Sequence, residues 1–137
     1  MMFGSTETET TFNREIPPDD LSEADLHAMV KRDTDATDAQ VGNLIAMYRR
    51  GRPGVSNTDV ALIVASDTSY RDGLMTQAER KADQGRAPAY VYYFTWRSPV
   101  RGGRVKAFHT LDIPFAFNTV DESSPMTGMG QDRYALA

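Results

Sequence analysis

The sequence predicts an α/β fold built on parallel strands. An apolar segment opens the chain as "MMFG", and residues 90–96 form a continuous aromatic and β-branched run; both read as strands. Between them lies a long stretch with helical periodicity and capping signals. Strand, helices, strand is the order of a crossover in a parallel sheet. The 137 residues suffice for one ordinary domain and are too few for two. Hydrophobic residues make up 40% and charged residues 25%, as in globular chains, so disorder is excluded as the general state.

The elements follow in order. Residues 1–4 form the end of an apolar strand, with a turn expected at Gly4. "STETETTFN" has no helical apolar face and reads as a loop, and "IPPDD" breaks structure because each proline fixes φ and removes a donor. Ser22 with Asp25 starts a helix whose apolar stripe is Leu26, Met29 and Val30. Thr37 with Gln40 starts a second, with Val41, Leu44, Ile45 and Tyr48 on one face. Gly51 suits the position just past that helix, and Pro53 prevents continuation. Residues 58–69 predict a third helix and residues 71–84 a fourth, more exposed one that ends at Gly85. The run 90–96 then reads as a strand buried on both faces. A Pro/Gly loop, a short turn at residues 111–117 and a polar tail complete the chain.

Only two strands are readable, and both have the character of a sheet interior. Two parallel strands cannot cover their own faces and edges. Residues 1–137 are therefore expected to be one partial domain, incomplete by itself.

Charge and composition exclude several classes. A formal net charge of -4 and an isoelectric point near 5.1 argue against nucleic-acid binding. The basic clusters in "YRRGRPG" and "WRSPVRGGRVK" contain Gly and Pro and read as solvated loops. No cysteine is present, which excludes disulfides and thiolate chemistry. No apolar run approaches the ~20 residues of a membrane span. "MMFGSTETET" has neither the basic nor the apolar region of a signal peptide.

Two histidines could carry acid–base chemistry. His27 lies midway along an acidic amphipathic helix and reads as solvated. His109 lies on a connection leaving the carboxyl edge of the sheet, where sites assemble in α/β folds. An imidazole titrates near neutrality and is the usual general base there. Taken alone, His109 reads better as a hydrogen-bonded or solvated ring than as a base. The two histidines have no recognisable metal-ligand spacing, so neither metal nor cofactor is expected.

The surrounding segments give His109 a context. "VYYFTWRSPVRGGRVKAFHTLDIPFAF" resembles the C-terminal part of type B carboxylesterases, members of the α/β-hydrolase fold. There an aromatic strand leads through an S-P loop to the triad histidine, followed by an Asp/Glu-Ile/Leu-Pro-Phe segment. The resemblance implies that His109 is the general base. The same family places its triad acid in a G-x-x-x-x-E turn, and "FGSTETETTF" sets Glu9 at that offset from Gly4. Glu7 is the rival, one register step away. "AERKADQGRAPAYVYYFTW" resembles the family's passage from helix to strand. The implied fold is the C-terminal part of an α/β-hydrolase: two strands of a mostly parallel sheet with intervening helices.

Other parts of that machinery are missing. Chain order in the fold is serine, acid, histidine, with the serine on a G-x-S-x-G elbow. None of the eight serines stands in that frame, and Gly54-Val55-Ser56-Asn57-Thr58 lacks the second glycine. The glycine-rich oxyanion loop and a closing helix after "QDRYALA" are absent too. The expectation is a chain truncated at both ends, lacking the N-terminal half of its domain, and inactive alone as an esterase. The substrate implied for the full-length protein is a small carboxylic ester. The compartment is open, with the cytoplasm as the default.

Trp96 and Phe108 are candidates for an acyl or alcohol pocket, although packing against the sheet suits them better. Asp67 is expected to cap a helix or pair with Arg71, and Asp112 to touch the histidine loop backbone. Two other classes stay open: a small non-catalytic interaction module, and one half of a split hydrolase whose serine lies on another polypeptide.

Overall fold

The structure is a computed structural model and describes residues 1–12 and 14–135. Strand β1 (Met2–Thr6) pairs in parallel with β2 (Tyr90–Phe94), Met2 opposite Tyr90 and Thr6 opposite Phe94. Mixed helices with a parallel pair are the expected α/β class. β1 does not turn at Gly4 but runs through it. Gly4 faces Tyr92, and a Cβ at Gly4 would lie 1.8 Å from Tyr92 Cζ. Here the glycine gives clearance to an aromatic ring, which is a different use from a turn.

Helix α1 (Glu23–Thr34) is capped by Ser22, whose hydroxyl accepts from Asp25 N at 3.1 Å. Helix α2 (Asp38–Gly51) begins with Gln40 reaching back to Thr37 N at 2.9 Å. Gly51 is the last residue of α2 rather than the residue past it, and Arg52 caps the helix. The left-handed conformation falls at Gly54 (φ 79°) instead. Helix α3 (Asn57–Ser66) is buried from Thr58 to Ser66. A helix apolar on every face belongs inside a core, and "VALIVA" obliges. Leu26 and Val30 of α1, Val41 and Ile45 of α2 and Val60, Ala61 and Val64 of α3 form the main core.

The third and fourth helices are continuous rather than separate. A π-helical turn (Asp67–Arg71) carries α3 into α4 (Asp72–Asp83), with Asp72 N bonded to Asp67 O. Asp67 and Arg71 pair across this wider turn, as expected of them. Helical period cannot reveal such an insertion, because the apolar pattern is interrupted there in either case.

β2 is shorter and more exposed than a sheet-interior strand. Tyr90 is 61% and Val91 49% exposed, and among the described residues the sheet has only two strands. Cover is confined to the carboxyl end. On one face Arg71 stacks over Tyr93 at 3.9 Å and bonds Ser5 Oγ. On the other, Phe115 of α5 (Ile113–Ala116) packs on Phe94 at 5.1 Å. The expected polar tail instead folds back through α6 (Ser124–Thr127) and a 3-10 turn (Gln131–Ala135), with buried Arg133 bonded to Asp121 at 2.9 Å. Among the described residues no helix is long and apolar enough to cross a membrane.

The core makes a direct prediction. Leu62→Ala, at a fully buried α3 position, should cost about 3 kcal/mol of unfolding free energy. Urea titration should show a lower midpoint with an unchanged slope.

Candidate active site

The segment after β1 is polar in sequence yet buried in the fold. Ser5, Thr6, Glu7, Thr8, Glu9 and Thr11 are all buried, against the expectation of a solvated loop. Buried backbone donors need acceptors, and these have them. Glu7 N donates to Phe94 O at 2.9 Å, Thr8 N to Ala107 O at 3.0 Å and Thr11 N to Thr8 O at 3.1 Å. Thr6 N donates to Glu9 Oε1 at 2.7 Å, and Thr10 N to Ser66 Oγ at 3.3 Å. The Thr11 hydroxyl donates to Val105 O at 2.6 Å. Two of these bonds, to Ala107 and Val105, tie the acid turn to the loop that carries His109.

Glu9 opens a 3-10 turn (Glu9–Phe12), and its Oε2 lies 2.7 Å from His109 Nδ1. A carboxylate only accepts, so Nδ1 is the donor and the neutral ring keeps its lone pair on Nε2. Burial is unequal: the Glu9 side chain is 6% exposed and that of His109 44%. The histidine loop reaches this position through left-handed residues on both sides, Lys106 (φ 51°) and Thr110 (φ 72°). Below it Val105, Phe108 and Leu111 form a second apolar cluster, with Trp96 and Phe115 packed against it.

Glu7 goes elsewhere. Its Oε2 accepts from Arg97 Nη2 at 2.8 Å and Nε at 3.0 Å. Arg97 also reaches Asp59 Oδ2 at 3.2 Å, and Lys106 Nζ lies 2.8 Å from Asp59 Oδ1. The basic segment expected in a solvated loop thus contributes to a half-buried ion cluster. Burial pushes Asp59 up, but the Lys106 and Arg97 cations outweigh it and hold the carboxyl below its ordinary range. Burial likewise opposes the charge on Arg97, and the Glu7 and Asp59 carboxylates more than compensate.

Two neighbours of the pair escaped the sequence. Tyr70, from the π-helical turn, sets its ring 5.4 Å from the His109 ring. Tyr92 donates its hydroxyl to Asp112 Oδ2, which replaces the backbone contact expected of Asp112. Burial, then the Asp112 hydrogen bond and charge, then the Glu9 charge push the Tyr92 phenol up to about 12. A glycine in an apolar strand was the available signal, because it leaves room for a cross-strand aromatic.

The remaining candidates are placed as follows. Phe108 is buried and stacks on Phe12 at 5.8 Å; Trp96 packs on Phe115 at 5.0 Å. Phe108 also borders a recess of about 210 Å³ beside the histidine loop, with Phe12, Val105, Thr110 and Met126. His27 stays on a partly exposed helix face, 3.9 Å from Asp38. A wider groove of about 640 Å³ runs past it along Ile45 and Arg49, on the helical side of the molecule. Among the described residues no three His, Asp or Glu side chains gather as metal ligands.

No family model matches the chain. Among solved structures it is similar to a PNB (para-nitrobenzyl) esterase, with a TM-score of 0.54 and 20% sequence identity. The match covers 94% of this chain and 24% of the esterase, so the chain spans about a quarter of that protein's length. At this identity the likeness is one of fold: an esterase-like α/β arrangement.

The ion cluster carries a pH prediction. A carboxyl whose pKa is depressed on folding stabilises the fold fully above its unfolded pKa, and that stability is lost as pH falls through the folded one. Asp59→Asn should therefore cost about 2 kcal/mol near neutral pH. The gap from the parent chain should narrow on acidification below about pH 4, as read from urea unfolding across a pH series.

Proposed function

We propose that this chain carries the acid–base part of a carboxylic-ester hydrolase of the serine type. His109 is the general base and Glu9 the triad acid. The nucleophilic serine and the oxyanion loop are supplied by polypeptide outside these residues. The observation that carries this reading is the 2.7 Å contact between His109 Nδ1 and a buried Glu9, residues 100 positions apart. The esterase-like fold and the sequence around both residues support it.

The chemistry follows from the tautomer. With Nδ1 donating to Glu9, Nε2 is free to take the proton of a serine hydroxyl as that oxygen attacks an ester carbonyl. Glu9 then stabilises the imidazolium, and the same Nε2 returns the proton to the departing alcohol. Water deacylates the acyl-enzyme with His109 again as base. Glu7, neutralised by Arg97, takes no part. No serine of this chain stands in a G-x-S-x-G frame. Ser66, which touches the acid turn, donates its hydroxyl to Leu62 O at 2.8 Å and is already engaged. The substrate is a small carboxylic ester, and no cofactor or metal enters any step.

The test uses two proteins. The purified 137-residue chain is expected to hydrolyse para-nitrophenyl acetate no faster than buffer containing free imidazole. The same chain grafted into a para-nitrobenzyl esterase, in place of the matched region, is expected to turn the ester over. In that chimera His109→Ala should abolish turnover, Glu9→Gln should lower kcat about 10⁴-fold, and Glu7→Gln should stay within a few fold of the parent. Steady, His109-dependent turnover by the isolated chain would show that the nucleophile is not external. Turnover by the chimera that survives His109→Ala would remove the histidine from the mechanism.

A further inference from the structure

We propose that Tyr92 is a positioning residue, whose phenol lies over Gly4 and bonds Asp112, fixing the exit of the loop that presents His109 to Glu9. The inference rests on the assignment of Glu9 and His109 as an acid–base pair and adds the part of the fold that holds them in register.

The histidine loop needs an anchor on each side of the imidazole. On the approach side it has backbone anchors: Ala107 O accepts from Thr8 N, and Val105 O from the Thr11 hydroxyl. On the exit side, Thr110 is left-handed at φ 72°, a conformation that a β-branched residue holds only when its surroundings impose it. Asp112 is the residue that leads from there into α5, and its carbonyl accepts from Ala116 N at 2.9 Å. Its carboxylate takes the Tyr92 hydroxyl. The bond joins the middle of β2 to the residue three positions beyond His109.

Gly4 makes this reach possible. The space that a Cβ at Gly4 would occupy is filled by Tyr92 Cζ, Cε1 and Oη, at 1.8, 2.1 and 2.2 Å from the ideal Cβ position. The end of the ring, hydroxyl included, therefore lies over Gly4 of β1. The phenol's elevated pKa, about 12, keeps it a donor throughout the neutral range. Gly4, Tyr92 and Asp112, from three separated segments, become one device. Tyr70 offers His109 only a ring contact and does not restrain the loop backbone.

Exchange of the imidazole proton reads the positioning directly. In the full chain with ¹⁵N-labelled histidine, the His109 Nδ1–H resonance and its exchange rate with water are measured by NMR. Tyr92→Phe keeps the ring and removes the hydroxyl. It is expected to accelerate Nδ1–H exchange at least tenfold while the protection of α3 amides stays as in the parent. Asp112→Ala should behave alike, whereas Asp112→Asn, which still offers an acceptor, should remain within about threefold of the parent. Unchanged Nδ1–H exchange in both Tyr92→Phe and Asp112→Ala would overturn the proposal, as would equal loss of protection at His109 and throughout α3. The Glu9→Gln chain separates the two levels of inference. If its Nδ1–H matches the parent, the acid–base assignment fails; if only Glu9→Gln alters it, the pair stands and the positioning role of Tyr92 fails.

Discussion

The parallel pairing of β1 with β2 is the constraint on which the rest of the molecule depends. Parallel strands end at the same edge, so whatever follows each of them emerges side by side. Here the polypeptide leaving β1 is the acid turn, and that leaving β2 leads to the histidine loop. The ladder is prolonged past Thr6 by the bond from Glu7 N to Phe94 O, and the next donor, Thr8 N, already reaches Ala107. The contact between Glu9 and His109 is thus the last step of a register set in the sheet. A slip of one residue would turn every side chain of the strand to the opposite face, and a slip of two would bring Glu7 where Glu9 now lies.

The interior around this edge is unusual in being polar, with its backbone donors paired although the Thr6 and Thr8 hydroxyls find no partner. Threonines and glutamates replace the aliphatic residues that would ordinarily fill a space between a sheet and α3. Their backbone donors are used up in binding Phe94, Ala107, Ser66 and Glu9 itself. The two carboxylates are separated by their partners: Glu7 is held by a permanent cation, Arg97, and Glu9 by an imidazole that can change charge. That division leaves one carboxylate in an ion pair with a guanidinium and the other against an ionisable ring. The Asp59 ion pairs with Arg97 and Lys106 fasten the start of α3 to the segments on either side of the Pro/Gly loop.

Much of this was legible in the residues. Capping pairs located α1 and α2, the helical reading of residues 58–69 located most of α3, and the spacing from Gly4 together with "FHTLDIPFAF" singled out Glu9 and His109. What escaped depended on contacts between distant segments. The Thr/Glu stretch has the composition of a solvated loop, and only the acceptors supplied by residues near 94 and 107 allow its burial. Gly4 reads as a turn until Tyr92 is opposite it. The π-helical turn that brings Tyr70 to the histidine leaves no periodicity of its own. The exposure of β2 has the opposite origin: its sequence is that of an interior strand, and the neighbours that would bury it are not among the described elements.

The proposed chemistry needs a histidine whose tautomer is dictated by a carboxylate, and the ¹⁵N chemical shifts of the His109 ring test that most directly. Free imidazole side chains in water favour the proton on Nε2. For His109 in its neutral form the predicted result is a proton on Nδ1 and a bare Nε2, reverting to the solution mixture in Glu9→Gln and persisting in Glu7→Gln. A neutral His109 with its proton on Nε2, unaffected by either substitution, would contradict it.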